Sequence, residues 1–308
     1  MPDKYPTNRG AITLPTDLSA EILQKAQETS AIMQLAQEVA LPGRGLTIPV
    51  ITGDPEAAWV EETGAKPVSK AGLTQKVMAA YTLAVIVPFS NQFRRDLARL
   101  YDNIVARLPG ALALKFDQTV MGAVNKPGNN FDNFASCTSQ SLVPSGSATT
   151  YDGLVAADAD IASQNGLLSA FALSPAGRSL LLSAKDTTGR PIFINSVADG
   201  APDRLLGVPA VFSRGVHKPG VAPVGTGAGT PAVVGVAGDW TQTMYGIVDN
   251  FDISISDQAT LTYVDDNSQT VTLNLWQRNM FAVRAEFEVG FVADTNCFDL
   301  LLGAVPES

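Results

Sequence analysis

The side chains able to do chemistry are few and scattered. The chain holds one histidine, His217, in a Gly/Pro-rich stretch beside Lys218-Pro219. A general base or a metal ligand needs converging partners. None is spelled out around it, so His217 reads as a solvated loop histidine. Cys137 and Cys297 lie far apart and make no C-x-x-C pair. They read as buried or half-buried thiols in a reducing compartment rather than as a disulfide framework or zinc site. Gly225-Thr226-Gly227-Ala228-Gly229 has the glycine content of a phosphate loop. Pro223 and Pro231 flank it, however, and a strand pattern follows where an anion-holding helix N-terminus should stand. The sequence contains no G-x-S-x-G, H-E-x-x-H or Walker A pattern.

Carboxylates come in pairs. Glu61-Glu62 and Asp265-Asp266 are adjacent, so in extended chain they point to opposite faces and make no dyad. Glu286 and Glu288 share a strand face with Arg284, which suits solvation or pairing with Arg284 and with cations of a partner chain. Arg94, Arg95, Arg99 and Arg107 decorate a helix opposite its apolar stripe. They read as a solvated face or, in an assembly, as intersubunit ion pairs. No catalytic residue, metal ligand or cofactor site emerges, and the expectation is a non-enzyme without cofactor.

Composition narrows the class further. The 308 residues are 45% hydrophobic and 17% charged, which is globular, and the net charge of −9 disfavours gripping phosphate directly. No apolar run reaches the length of a membrane span, and MPDKYPTNRG lacks the apolar core of a signal peptide. Assembly in a cytoplasm and no membrane partner are therefore expected.

The elements follow from periodicity. Pro2, Pro6, Gly10 and Pro15 make residues 1–15 an extended arm. Leu18, Ile22, Ala26, Thr29, Met33 and Ala36 predict one helix, capped by Thr16, Asp17 or Ser19 and ended by Pro42-Gly43. Residues 46–51 are a strand, and the alternation at 77–87 is a second one. The polar segment 53–76 between them predicts a hairpin projecting from the body, stable only against a neighbour. A long helix begins after Pro88, capped by Ser90, with an apolar stripe from Phe93 to Phe116. Pro109-Gly110 predicts a kink or break in it, and it stops near Gly122. Residues 125–150 read as loop. A helix over about 151–164 carries Leu154, Val155, Asp158 and Ile161 on one side and ends at Asn165-Gly166. A short strand and a helix opened by Ser174-Pro175 come next. Residues 215–232 are an exposed loop. Beyond Val233 the chain is β-rich. Asp265 to Ser268 form the turn between strands near 251–255 and 271–275, and Phe281, Val283, Ala285, Phe287, Val289 and Phe291 face one way.

The order of parts and several local words resemble a known family. LSAEILQKAQETSAIMQLA followed by LPGRGLTIPVITGDPEAAWVEETGAKPVS resembles the N-arm and E-loop of HK97-type capsid proteins. AVIVPFSNQFRRD followed by KFDQTVMG is similar to their strand and spine helix. LSPAGRSLLLSAKDTTGRPIF is similar to the axial domain. GDWTQTMYGIVDNFDISIS and LWQRNMFAVRAEFEVGFVADTNCFDLL resemble the closing strands. The resemblance spans nearly the whole chain and implies an α+β HK97-type capsid fold. The implied parts are an N-arm with its helix (1–45), an E-loop hairpin and base strands (46–87), a P-domain with spine helix (88–148), an A-domain (149–248), P-domain strands (249–284) and a C-terminal strand returning to the A-domain (285–308). It implies a major capsid protein of a tailed phage, forming pentamers and hexamers of an icosahedral shell around double-stranded DNA without sequence-specific binding.

Implied partners are a portal, possible decoration proteins and a separate scaffolding protein, since the first helix follows Met1 closely. Intersubunit contacts are expected at Trp59, Glu61, Glu62, Lys66, Lys70 and Lys76 of the projecting segment and at Arg94, Arg95, Arg99 and Arg107 of the spine. Lys66 and Lys70 could donate to a lysine–asparagine crosslink, but no acceptor motif matches, so non-covalent closure is expected. An encapsulin-type shell holding cargo enzymes, or a soluble α+β enzyme, are the alternative readings.

Overall fold

A computed structural model describes residues 30–43, 45–53, 59, 72–91, 97–145, 149–185, 188–193, 204–223, 229–248, 252–264 and 268–306. Ser30 caps a short helix, α1 (Ala31–Leu35), its Oγ accepting from Met33 N at 3.0 Å. The chain then extends into β1 (Gln37–Ala40). The expected helix therefore does not run to Pro42. Residues 37–40 pair in parallel with a later strand, and that tertiary pairing overrides a helix-compatible spacing. The helical expectation for residues 16–29 lies outside the described residues.

β2 (Leu46–Gly53) and β3 (Gly72–Met78) form an antiparallel hairpin. After Ala79-Ala80 the chain enters β4 (Tyr81–Ser90). The single strand expected over 77–87 is thus two: β3 belongs to the hairpin and β4 to the body. Ser90 ends β4 opposite Met280. The long helix α2 (Leu97–Val120) is unbroken across Pro109. Leu108, Leu112 and Phe116 are buried on both sides of it. Burying such side chains contributes about 1.5–3 kcal/mol each, which together exceeds the roughly 3 kcal/mol an interior proline costs. Gly122, with φ +70, closes the helix where a Cβ would lie 2.5 Å from that of Ala135.

Residues 125–150 are not all loop. A single 3-10 turn, Phe134–Ser136, leads into β5 (Thr138–Ser141). α3 (Thr150–Ser163) opens with a capping box between Thr149 and Asp152, which holds the Asp152 carboxyl below its usual range, and Asn165 (φ 59) stops it. Its buried residues are Thr150, Gly153, Leu154, Ala157 and Ile161, while Val155 and Asp158 are exposed, against the expected face. Next come β6 (Ala170–Leu173) and α4 (Pro175–Ser183), whose cap Ser174 accepts from Gly177 N as its sequence predicts. The remaining strands are β7 (Arg204–Leu205), β8 (Val208–Phe212), β9 (Val233–Gly238), β10 (Thr243–Ile247), β11 (Asp252–Ser256), β12 (Thr260–Val264), β13 (Thr270–Asn274), β14 (Met280–Ala293) and β15 (Phe298–Leu302). Between β11 and β13 the sequence predicts only a turn. β12 intervenes and forms a hairpin with β13.

Two sheets organise these strands. In the first, β14 is the axis: β4 pairs along one edge, β11 and then β10 along the other, and β1 joins outside β10. The second has the order β5-β15-β9-β6-β8-β7. One core joins them. It holds α1, the buried face of α2, the Phe281-to-Phe291 face of β14 and residues of β6, β9 and β15. Phe134 sits at the seam, 4.5 Å from Phe298 and 5.8 Å from Phe291 between ring centroids. The other face of the second sheet is covered by α3 and α4 through Leu154, Ile161 and Leu181.

Candidate assembly surfaces

The hairpin β2–β3 stands on a narrow footing. Lys76 lies 2.7 Å from Asp132 Oδ2 and donates to the Ala293 carbonyl at 2.6 Å, while Asp132 Oδ2 also accepts from Ala293 N at 3.0 Å. Below it Met78, Leu41 and Val292 make a small buried cluster with Leu46 and Ile48 at its rim. Val77, next to Lys76, and Trp59 are exposed. An apolar indole in water forgoes the burial an aromatic normally supplies. Glu61, Glu62, Lys66 and Lys70 lie outside the described residues, as do Arg94 and Arg95. Arg99 falls within α2, and Arg107 is exposed on it. Of these ten positions, only Lys76 has a described ion pair, and it is within its own chain.

The outward face of the first sheet carries Thr82, Ala84 and Ile86 of β4 beside Arg284, Glu286 and Glu288 of β14. Arg284 pairs with Glu286 at 3.0 Å, relieving the like charges on that face.

Two buried carboxylates lie where elements meet. Asp117, on the last turn of α2, accepts from Ser30 Oγ at 2.5 Å, Ala31 N at 3.2 Å and Ser213 Oγ at 2.8 Å. It fastens the segment entering α1 and the loop after β8 to the long helix. Gly215 lets that loop close, since a Cβ there would be 2.4 Å from that of Asp117. Burial raises the Asp117 carboxyl to about 6, against the pull of its donors. Asp299, fully buried on β15, has neither oxygen in a well-formed hydrogen bond, although the Thr138 hydroxyl and the Leu300 N–H lie close enough to pull its carboxyl down. Burial and the neighbouring Asp160 raise it to about 6. Sequence reading missed both. An Asp in an amphipathic helix and an Asp in an apolar strand (FDLLL) carry one usable signal, a charge at a position whose periodicity points inward.

Neither cysteine is poised for covalent chemistry. Burial, with Asp299 and Asp294 nearby, pushes the Cys137 thiol up to about 12, so it stays protonated and unreactive. His217 is half-buried rather than solvated, and its Nδ1 is buried without a partner. Among the described residues, no group of three or more His, Cys, Asp or Glu could hold a metal ion, and no helix is long and apolar enough to cross a membrane.

The fold thus combines a two-stranded hairpin, a long helix packed on a sheet and a second, helix-covered sheet. The sequence model of the Phage capsid family matches residues 10–296. The protein named probable major capsid protein of Mycobacterium phage L5 is 30% identical over 291 residues, covering 90% of this chain and 85% of that protein. The major capsid protein of Staphylococcus phage 80alpha is 27% identical, covering 95% and 85%. A solved structure from Gordonia phage Cozz superposes with a TM-score of 0.68 at 21% identity, covering 90% of this chain and 87% of that one. A capsid chain of an empty GTA particle gives 0.60 at 15% identity, covering 90% of each.

The chain belongs to the phage capsid family. Its role is that of a major capsid protein, structural and not enzymatic.

Proposed function

We propose that this capsid protein packs as pentamers and hexamers of an icosahedral shell around the double-stranded DNA of a tailed phage, with the β2–β3 hairpin of each copy lying on its neighbour. The observation that carries this reading is the hairpin itself: two strands joined to the body by one ion-pair cluster and a small apolar cluster, leading to a fully exposed Trp59. An isolated two-stranded hairpin is marginal in water. Covered by a neighbour, the same strands bury area on both partners and gain about 25 cal/mol per Å² of apolar surface.

In this reading the N-arm (1–45), E-loop (46–87), P-domain (88–148 and 249–284), A-domain (149–248) and returning C-terminal segment (285–308) are the working parts. Trp59, Glu61, Glu62, Lys66, Lys70 and Lys76 contact the next subunit, as do Arg94, Arg95, Arg99 and Arg107. Closure is non-covalent. A separate scaffolding protein, a portal and decoration proteins are the expected partners, with assembly in the host cytoplasm. A net charge of −9 suits a lumen that leaves packaged DNA free to move.

Electron microscopy of the expressed chain tests the reading. Shells should form, and replacing residues 54–71 by a short Gly-Ser link should leave folded, soluble subunits that form none. A truncated chain that still closes shells would remove the hairpin from the assembly mechanism.

A further inference from the structure

The helix α3 keeps an apolar row on its solvent side. Tyr151 and Val155, one turn apart, are exposed large side chains. Asp158 and Ala162, also exposed, continue the row at three- and four-residue steps. The buried side of α3 packs on β5 and β15, so the row faces away from the subunit's own core. Residues 138–177 hold three carboxylates, Asp152, Asp158 and Asp160, and no lysine or arginine. Thr149 engages Asp152 and Gln140 engages Asp160. Asp158 sits in the middle of the apolar row.

The far edge of the second sheet is the β7–β8 hairpin. Its two-residue turn is Leu206-Gly207, with φ of 50 and 85. Such a turn favours Asn or Gly at its first position. Leucine stands there instead, in a backbone conformation uncommon for it, and its side chain is 38% exposed. Arg204, two residues earlier, is exposed as well. The surrounding stretch 178–218 carries six Lys and Arg against three Asp. The tip is therefore an apolar knob beside a cation, the complement of an apolar row with an acid in it.

Five strand spacings of about 4.8 Å each separate β5 from β7, so one copy does not bring its tip to its own α3. Two copies meeting α3 to α3 would oppose Asp158 to Asp158, and two meeting tip to tip would oppose Arg204 to Arg204. Like charges set against each other select against both pairings. Head to tail remains. We propose that the β7–β8 tip of one subunit docks on the Tyr151–Ala162 row of α3 in a second copy, with Leu206 on Tyr151 and Val155, and Arg204 against Asp158. A head-to-tail contact repeated by rotation closes a ring. The inference rests on the pentamer and hexamer reading above and names the two faces that meet in it.

The test is charge exchange in the full chain. Asp158→Arg and Arg204→Asp are surface changes, so each should leave Tm within about 2 °C of wild type. Each should lower the yield of shells, counted by electron microscopy, by about tenfold or more. The double variant should recover most of that yield. In a second arm, Val155→Cys combined with Leu206→Cys is assembled and treated with a mild oxidant. Non-reducing gels should show a ladder reaching five or six chains, and neither single cysteine variant should give one. Wild-type shells, with both reversal variants assembling normally and no ladder, would overturn this contact and leave the shell reading standing. No shells from wild type and no ladder would overturn both. A double reversal that assembles no better than either single one would also overturn the contact, as would dimers from a single cysteine variant.

Discussion

Asp117 and Asp299 are both fully buried, and burial raises both carboxyls to about 6. They differ in what surrounds them. Asp117 receives two hydroxyls and a backbone N–H from segments 87 and 96 residues away and binds three parts of the subunit together. Asp299 has no well-formed hydrogen bond, feels only the Thr138 hydroxyl and the Leu300 N–H, and faces a second acid. A buried charge thus acts as a fastener where donors converge and as a burden where they do not. The same residue type in the same burial should give opposite signs on mutation.

The largest expected effect follows from removing the fastener. Asp117→Ala strands the Ser30 and Ser213 hydroxyls and the Ala31 N–H in a closed interior. It should destabilise the subunit by about 3–5 kcal/mol in urea unfolding. A loss under 1 kcal/mol would mean that the three segments hold together without the carboxylate, and the comparison would fail on its stronger side. Asp299→Asn should instead stabilise at pH 7.5, by about 1–3 kcal/mol, because the neutral amide removes a buried charge and its repulsion with Asp160. A destabilised variant would reveal a donor to Asp299 that a carboxamide cannot satisfy.

Proton linkage sharpens the contrast with a smaller effect. A carboxyl raised to about 6 from an ordinary value of 3.8 binds its proton more tightly in the folded state. Stability should therefore rise as pH falls from above 6 toward 4, by at most about 1.4 kcal/mol per pH unit for each group. The contribution is fully present below the unfolded value and lost as pH rises through the folded one. Asp299→Asn removes one of the two groups, so wild type minus variant should change by about 1–2 kcal/mol between pH 7.5 and 5. An unchanged difference would show that Asp299 does not titrate there.

Neither carboxylate's role was legible in the sequence, and the reason is distance along the chain. Features closed within four residues were legible: the Ser174-Pro175 start of α4, the Asn165 stop of α3, and the period-two face from Phe281 to Phe291. Features settled by long-range pairing were not. Residues 37–40 carry a helical spacing but join β10, 207 residues away. Pro109 breaks helices in isolation, yet the core grips α2 on both sides of it. The hairpin was visible because its polar middle and apolar ends are local. Its footing through Asp132 was not.

That footing gives the smallest prediction and extends the comparison to a third carboxylate. Asp132, unlike the buried pair, is partly exposed, and its Lys76 partner more so. Solvent screening limits such a pair to about 0.2–1 kcal/mol. Lys76→Ala should cost no more than that in global unfolding. Its effect should concentrate in β2 and β3, whose amides should exchange with solvent faster while those of β14 keep their protection. In a double-mutant cycle, Lys76→Ala and Asp132→Ala should couple by about 0.5 kcal/mol. Coupling above 2 kcal/mol would place Asp132 with Asp117 as a fastener. The hairpin would then be held firmly by its own subunit, and the case for a neighbour to stabilise it would weaken.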